Sequence, residues 1–134
     1  MGAAPGGPLD AGLQPFLGTI TVDSSRAAVL ADWWSAVLGG TVDGFEDYHV
    51  WVVRSPRLRG INLAFQQVET PTPGKNRIHL DLGAVDPHAT AAALVQRGAS
   101  VVAEQVAGGV TWLVLADIDG NVFCVSDTGP FTPA

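Results

Sequence analysis

The stretch Arg77-Ile78-His79-Leu80-Asp81-Leu82-Gly83, with the Asp86-Pro87 pair and the run to Gly98 behind it, carries the reading that decides the fold. The first seven residues alternate in polarity, the pattern of a strand with one face buried. Asp86 and Pro87 open a helix, because a proline in the first turn gives up an N–H that has no partner there anyway. Ala89, Ala93 and Leu94 carry the helix and Gly98 ends it. Beyond it lie strand patterns from Ser100 to Val106, Val110 to Ala116 and Asn121 to Asp127. Asp119-Gly120 marks a tight turn between the last two.

The same order stands about sixty positions earlier. Leu17 to Asp23 alternates around Ile20, Thr21 and Val22, Ser24 and Ser25 offer a helix N-cap, and Arg26 to Leu38 places Leu30, Trp33, Trp34, Val37 and Leu38 on one helical stripe. Gly39 and Gly40 stop that helix, since glycine takes the left-handed cap conformation without steric cost. Thr41 to Gly44, Tyr48 to Arg54 and Ile61 to Val68 read as strands, with a turn at Pro56 to Gly60. Thr19 answers His79, Gly39 answers Gly98, Thr41-Val42 answers Ser100-Val101, Trp51 answers Trp112 and Gly60 answers Gly120. Offsets this constant indicate a duplicated βαβββ module. Neither half can bury its sheet face alone, so the two are expected to pack as one α+β domain with one helix per module.

Module one is placed at 16–68, a Pro- and Gly-bearing linker at 69–76 and module two at 77–128, within a chain of 134 residues. Residues 1–15, rich in Gly, Ala and Pro, and 129–134 read as tails. The opening residues lack the basic start and apolar run of a secretory signal, and Gly6 breaks the myristoylation pattern. No apolar run reaches the ~20 residues that cross a bilayer, so no membrane association is expected. A single cysteine, Cys124, excludes an intrachain disulfide and fits a cytoplasmic location. The net charge of −6 disfavours nucleic acid. Arg54, Arg57, Arg59, Lys75 and Arg77 gather in or beside two loops, either as a solvated cluster or as a local anion site.

Three motifs in order resemble the glyoxalase/bleomycin-resistance/dioxygenase group, the vicinal oxygen chelate superfamily, across residues 16–128. Ala31-Asp32-Trp33-Trp34-Ser35-Ala36-Val37-Leu38-Gly39 is similar to the end of that group's first helix. Asn76-Arg77-Ile78-His79-Leu80-Asp81-Leu82 is similar to the strand that opens its second module. Asp117-Ile118-Asp119-Gly120-Asn121 resembles its Asp-Pro-Asp-Gly-Asn turn, with Ile118 in the proline's place. The resemblance implies a cupped, incompletely closed mixed β-sheet. It also implies one divalent metal in the cup, held mostly by His and Glu from the first and last strands of each module.

Against that ligand set the chain is sparse. Thr19 stands at the first position, His79 at the third and Cys124 at the fourth, while either Ala64 or Gln66 occupies the second. Only His79 matches in type, and two ligands, His79 and Cys124, fall short of the three protein ligands of a catalytic zinc site. No cofactor is therefore expected. His79 and Asp81 are expected on the cup face and are candidates for an acid–base pair. Thr19, Thr21, Trp51, Gln66, Trp112 and Cys124 are candidate ligand-binding residues, the two tryptophans as stacking surfaces. As a nucleophile Cys124 has no evident basic neighbour in the sequence, and it reads rather as a small buried apolar filler. Trp33 and Trp34 read as core or dimer-interface residues, and His49 as a weak rim candidate. The reading is a protein that binds a small organic molecule, sequestering it or converting it without a metal, and that forms a homodimer. The alternatives are a metal-dependent lyase, isomerase or dioxygenase with displaced ligands such as His49, His79 and Asp81 or Asp23, and a non-catalytic interaction module with a collapsed cup.

Overall fold

The computed structural model describes residues 7–8, 10–13, 17, 19–107 and 110–127. The expected tails fall largely outside them, apart from one 3-10 turn at Ala11–Leu13. Module one consists of β1 (Thr19–Ser24), α1 (Ala27–Leu38), β2 (Thr41–Phe45), β3 (Val50–Arg54) and β4 (Asn62–Gln67). Module two consists of β5 (Leu80–Gly83), α2 (Pro87–Gln96), β6 (Ser100–Ala107), β7 (Val110–Ala116) and β8 (Val122–Ser126). Each module is a four-stranded mixed sheet, in the order β1-β4-β3-β2 and β5-β8-β7-β6, with the first strand parallel to the last and the rest antiparallel. The two sheets do not close into a barrel, and the α+β duplication read from the sequence is the observed fold.

Residues opposite one another in a ladder share a face of the sheet. In module one Ile20, Leu63, Val53 and Val42 form one row and Val22, Phe65 and Trp51 the next. Both rows pack beneath Ala27, Leu30, Ala31 and Trp34 of α1. In module two Leu80, Phe123 and Leu115, then Leu82, Val125 and Leu113, lie against Ala91 and Leu94 of α2. The opposite, concave faces carry Thr21, Ala64 and Val52 in module one and Asp81, Cys124 and Val114 in module two.

The ends of α1 differ from expectation at one side. Arg26, not Ser24 or Ser25, occupies the N-cap position and makes no side-chain cap bond. The orphan donors are met from elsewhere: the Ala27 N–H donates to Oε1 of Gln67 and the Arg26 N–H to Oγ of Ser24. At the other end Gly39 is left-handed, at φ 63°, as expected. Gly40 is needed for space, because a Cβ there would lie 2.3 Å from the Arg54 carbonyl oxygen. Helix α2 is capped by Asp86, whose carboxylate accepts the Ala89 N–H, with Pro87 at the first turn.

The modules are fastened where α1 meets the β7–β8 turn. The Trp34 indole donates to Oδ2 of the buried Asp117 at 3.0 Å. Ser24 Oγ donates to Asp119 Oδ2 at 2.6 Å, Arg26 Nε pairs with Asp119 Oδ1 at 2.6 Å, and the Arg26 guanidinium also donates to the Ile118 carbonyl. Trp33, Trp34 and Phe123 meet edge-on, with centroids 5.0 to 6.4 Å apart. The Trp33 indole donates to the Arg97 carbonyl. Trp34 is thus buried within the chain, across the module seam, while Trp33 is half-buried.

Candidate functional site

The register of the ladders settles which positions correspond. Thr21 pairs with Ala64 as Asp81 pairs with Cys124, so Ala64 is the counterpart of Cys124 and Gln66 that of Ser126. The third strands follow a different offset. Val52 faces Ala64 as Val114 faces Cys124, two positions further apart in sequence than the first and last strands. The connection between β3 and β4, with its 3-10 turn at Pro56–Leu58, is longer by that amount than the tight turn at Asp117–Asn121. The expected Trp51–Trp112 equivalence is corrected by this shift. Trp51 corresponds to Leu113, and it faces the helix side beside Phe65, packed on the core. Trp112 shares the concave face with Val114 and Cys124. A slip of one residue in a strand exchanges the two faces.

The remaining candidates divide between two places. On the concave face Thr19, Thr21 and Gln66 are exposed, as is Asp81, and Cys124 is half-buried beside it. Asp81 stands opposite Cys124 in the β5–β8 ladder. Burial, then the neighbouring Asp81 carboxylate, push the thiol above its ordinary value of 9.0, with Lys75 acting the other way. His79 stands one residue before β5, exposed, and it is Cys124 that lies opposite Asp81 in the ladder. His49 is left-handed, at φ 56°, and exposed at the end of a 3-10 turn ahead of β3.

The family's metal requires donors that these positions do not present. The four positions hold a hydroxyl (Thr19), a buried methyl (Ala64), an imidazole (His79) and a half-buried thiol opposite Asp81 (Cys124). Among the described residues no group of three His, Cys, Asp or Glu side chains converges as a metal cage. The donor set does not fit the family's metal centre.

The second place was not foreseen as a site. A cavity of about 240 Å³ opens at the seam between β1 and β5. Its walls are Ile20, Val22 and Leu80, and it is bounded by the buried Trp34, Phe65, Phe123 and Asp117, with Thr21, Asn76, Arg77, Ile78 and Asn121 contributing polar or exposed edges. Asn76 fixes the linker at this edge: its Oδ1 accepts the Val122 N–H at 2.8 Å, and its Nδ2 donates to the carbonyls of Val122 and Ile78. The Asp117 carboxylate accepts from the Trp34 indole and from the N–H groups of Asp119 and Asn121. Burial pushes Asp117 above its ordinary 3.8; those three donors oppose the rise and the neighbouring Asp119 charge adds to it. Asn76 and Asp117 each begin a motif quoted above, but as a linker end and a turn. Nothing local in the sequence states that the two motifs meet.

Two tandem βαβββ modules with ligand positions on paired first and last strands define a class, the vicinal-oxygen-chelate architecture. Within it, residues 19–126 match the glyoxalase-like domain, and the chain belongs to that family. Solved structures agree on the fold. A member of the glyoxalase/bleomycin resistance protein/dioxygenase superfamily from Sphaerobacter thermophilus DSM 20745 aligns with TM-score 0.67 at 18% identity, over 87% of this chain and 99% of that one. A glyoxalase/bleomycin resistance protein/dioxygenase family enzyme from Burkholderia phytofirmans PsJN aligns with TM-score 0.66 at 12% identity, over 82% and 96%. A glyoxalase/bleomycin resistance protein from Albidiferax ferrireducens T118 aligns with TM-score 0.61 at 19% identity, over 84% and 98%. No curated protein matches the chain. Among the described residues no helix is long and apolar enough to cross a membrane.

Proposed function

We propose that this chain is a small-molecule-binding member of the glyoxalase-like family that holds an organic ligand on its concave face without the metal chemistry of its relatives. The observation that carries the reading is the donor set: among the described residues no three His, Cys, Asp or Glu side chains converge, and of the four ligand positions only His79 and Cys124 carry metal-binding atoms. The counterpart of Cys124 in module one is a buried alanine. With Asp81 set opposite Cys124 and His79 outside the ladder, the face offers recognition groups rather than an aligned acid–base pair. Thr21, Gln66, Trp112 and Val114 supply hydroxyl, amide, ring and apolar contacts, the mixture small-molecule sites use.

The test is the metal content of protein purified without a histidine tag, measured by mass spectrometry. Chelator-treated protein is then titrated with Ni, Zn, Mn and Fe(II). The reading expects no stoichiometric metal and no binding at sub-millimolar concentration. A stoichiometric metal that is lost in His79→Ala would overturn it and make a metal-dependent lyase or dioxygenase the better reading.

A further inference from the structure

We propose that the seam cavity is a second binding site, separate from the concave face, and that its ligand is a small aromatic carboxylate held ring-inward with its acid group on Arg77. The surface the cavity presents is aliphatic, from Ile20, Val22, Leu80, Val122 and Ile78, backed by the core rings of Trp34, Phe65 and Phe123, each at most 2% exposed. Such a surface favours the apolar body of a ligand, through apolar burial. The volume sets the size. A dry hydrocarbon cavity of ~150 Å³ takes benzene, and the cavity here, about 240 Å³, adds room for one small substituent.

Charge sets the polarity. Arg77 is exposed at the cavity's edge and has no ion-pair partner among the described residues, whereas Arg26 is paired with Asp119 and Arg54 with Asp43. A guanidinium matches a carboxylate in plane and in donor spacing. The lining also carries the buried Asp117, whose oxygens already accept three N–H groups and which repels a second carboxylate. An acid group is therefore turned outward, to Arg77, and the ring inward. Ile78, 73% exposed beside Arg77, stands at the mouth. Cys124 and Asp81 project from the other side of the sheet, and of the concave-face residues named above only Thr21 reaches the cavity's edge.

Benzoate and its neutral counterpart benzyl alcohol are the probes, titrated by calorimetry and by tryptophan fluorescence into the full chain. Benzoate is expected to bind at one per chain, and benzyl alcohol about tenfold or more weaker, the scale of one charge-assisted contact. Arg77→Gln is expected to weaken benzoate by about tenfold and leave benzyl alcohol unchanged. Ile78→Trp, a change at an exposed position, should close the mouth to both. Trp112→Phe should keep the fluorescence response, since Trp34 lines the cavity and Trp112 lies on the concave face. No saturable benzoate binding up to millimolar concentration, or binding indifferent to Arg77→Gln, would overturn the proposal. So would a response that disappears with Trp112→Phe, which would instead place the ligand on the concave face and support the reading of that face.

Discussion

The indole N–H of Trp34, in the first module's helix, donates to the buried carboxylate of Asp117, in the second module's last turn, at 3.0 Å. Through this bond the two repeated modules are joined: the helix of one half is anchored to the last turn of the other. The bond also explains how a buried carboxylate is tolerated, since Asp117 has three N–H donors around it and no buried polar side-chain atom among the described residues is left without a partner.

Asp117→Asn places an amide NH2 where at least one of those donors points, and should destabilise the fold by about 2 kcal/mol. The effect depends on pH in a fixed direction. The folded-state pKa of Asp117 lies above 3.8, so its contribution to stability is fully present below that pH and is lost as pH rises through the folded value. Urea unfolding of both proteins should therefore show a larger gap between them at acidic pH than at neutral pH. A gap that widens toward neutral pH would contradict the raised value.

Cys124 should be a slow thiol. Its proton is held by burial and by Asp81, so alkylation by iodoacetamide at pH 8 should lag well behind a free cysteine. Asp81→Asn removes the charge and should accelerate labelling several-fold, with the midpoint of the pH–rate curve moving down. If Asp81→Asn leaves the rate and the midpoint unchanged, the two side chains are not coupled.

The two tryptophans of the third strands should separate in their effects. Trp51→Ala empties a position packed on the core beside Phe65 and should cost about 3 kcal/mol or more of stability. Trp112→Ala, on the concave face and half-buried, should cost less, and should alter ligand binding there instead. Equal losses in urea denaturation would mean that the two share an environment.

Asn76→Ala should act at a distance from the linker it belongs to. It removes both partners of the Val122 backbone, N–H and carbonyl, together with the bond to Ile78. A loss of about 2 kcal/mol is expected, with faster amide exchange at Val122 than at Cys124. Retained protection at Val122 would show that the side chain is not what holds the start of β8.

Much of the site's setting was legible, and for a physical reason. The strand and helix boundaries follow from local alternation, a helical stripe and glycine stops, so β2, β7 and α2 fall within a few residues of where the pattern puts them. The resemblance to the family rests on three short motifs, and the match over residues 19–126 bears it out. The equivalence of Trp51 with Trp112 fails because the connection before the last strand differs in length between the modules, so the offset is not constant. In a strand, a shift of one residue reverses the face. Sequence alone also left Ala64 and Gln66 undecided, which the ladder against Thr21 resolves.

By itself the sequence determined that two βαβββ modules exist, and which residue types stand at the family's ligand positions, because both are properties of local pattern and position. The tertiary structure alone decided what each of those residues meets. It set the Cys124 thiol against Asp81, joined Trp34 to Asp117 across the seam, and opened the cavity between β1 and β5. These contacts join residues far apart in the chain. They depend on how one sheet's twist and one connection's length bring the modules together, and no local signal encodes that distance.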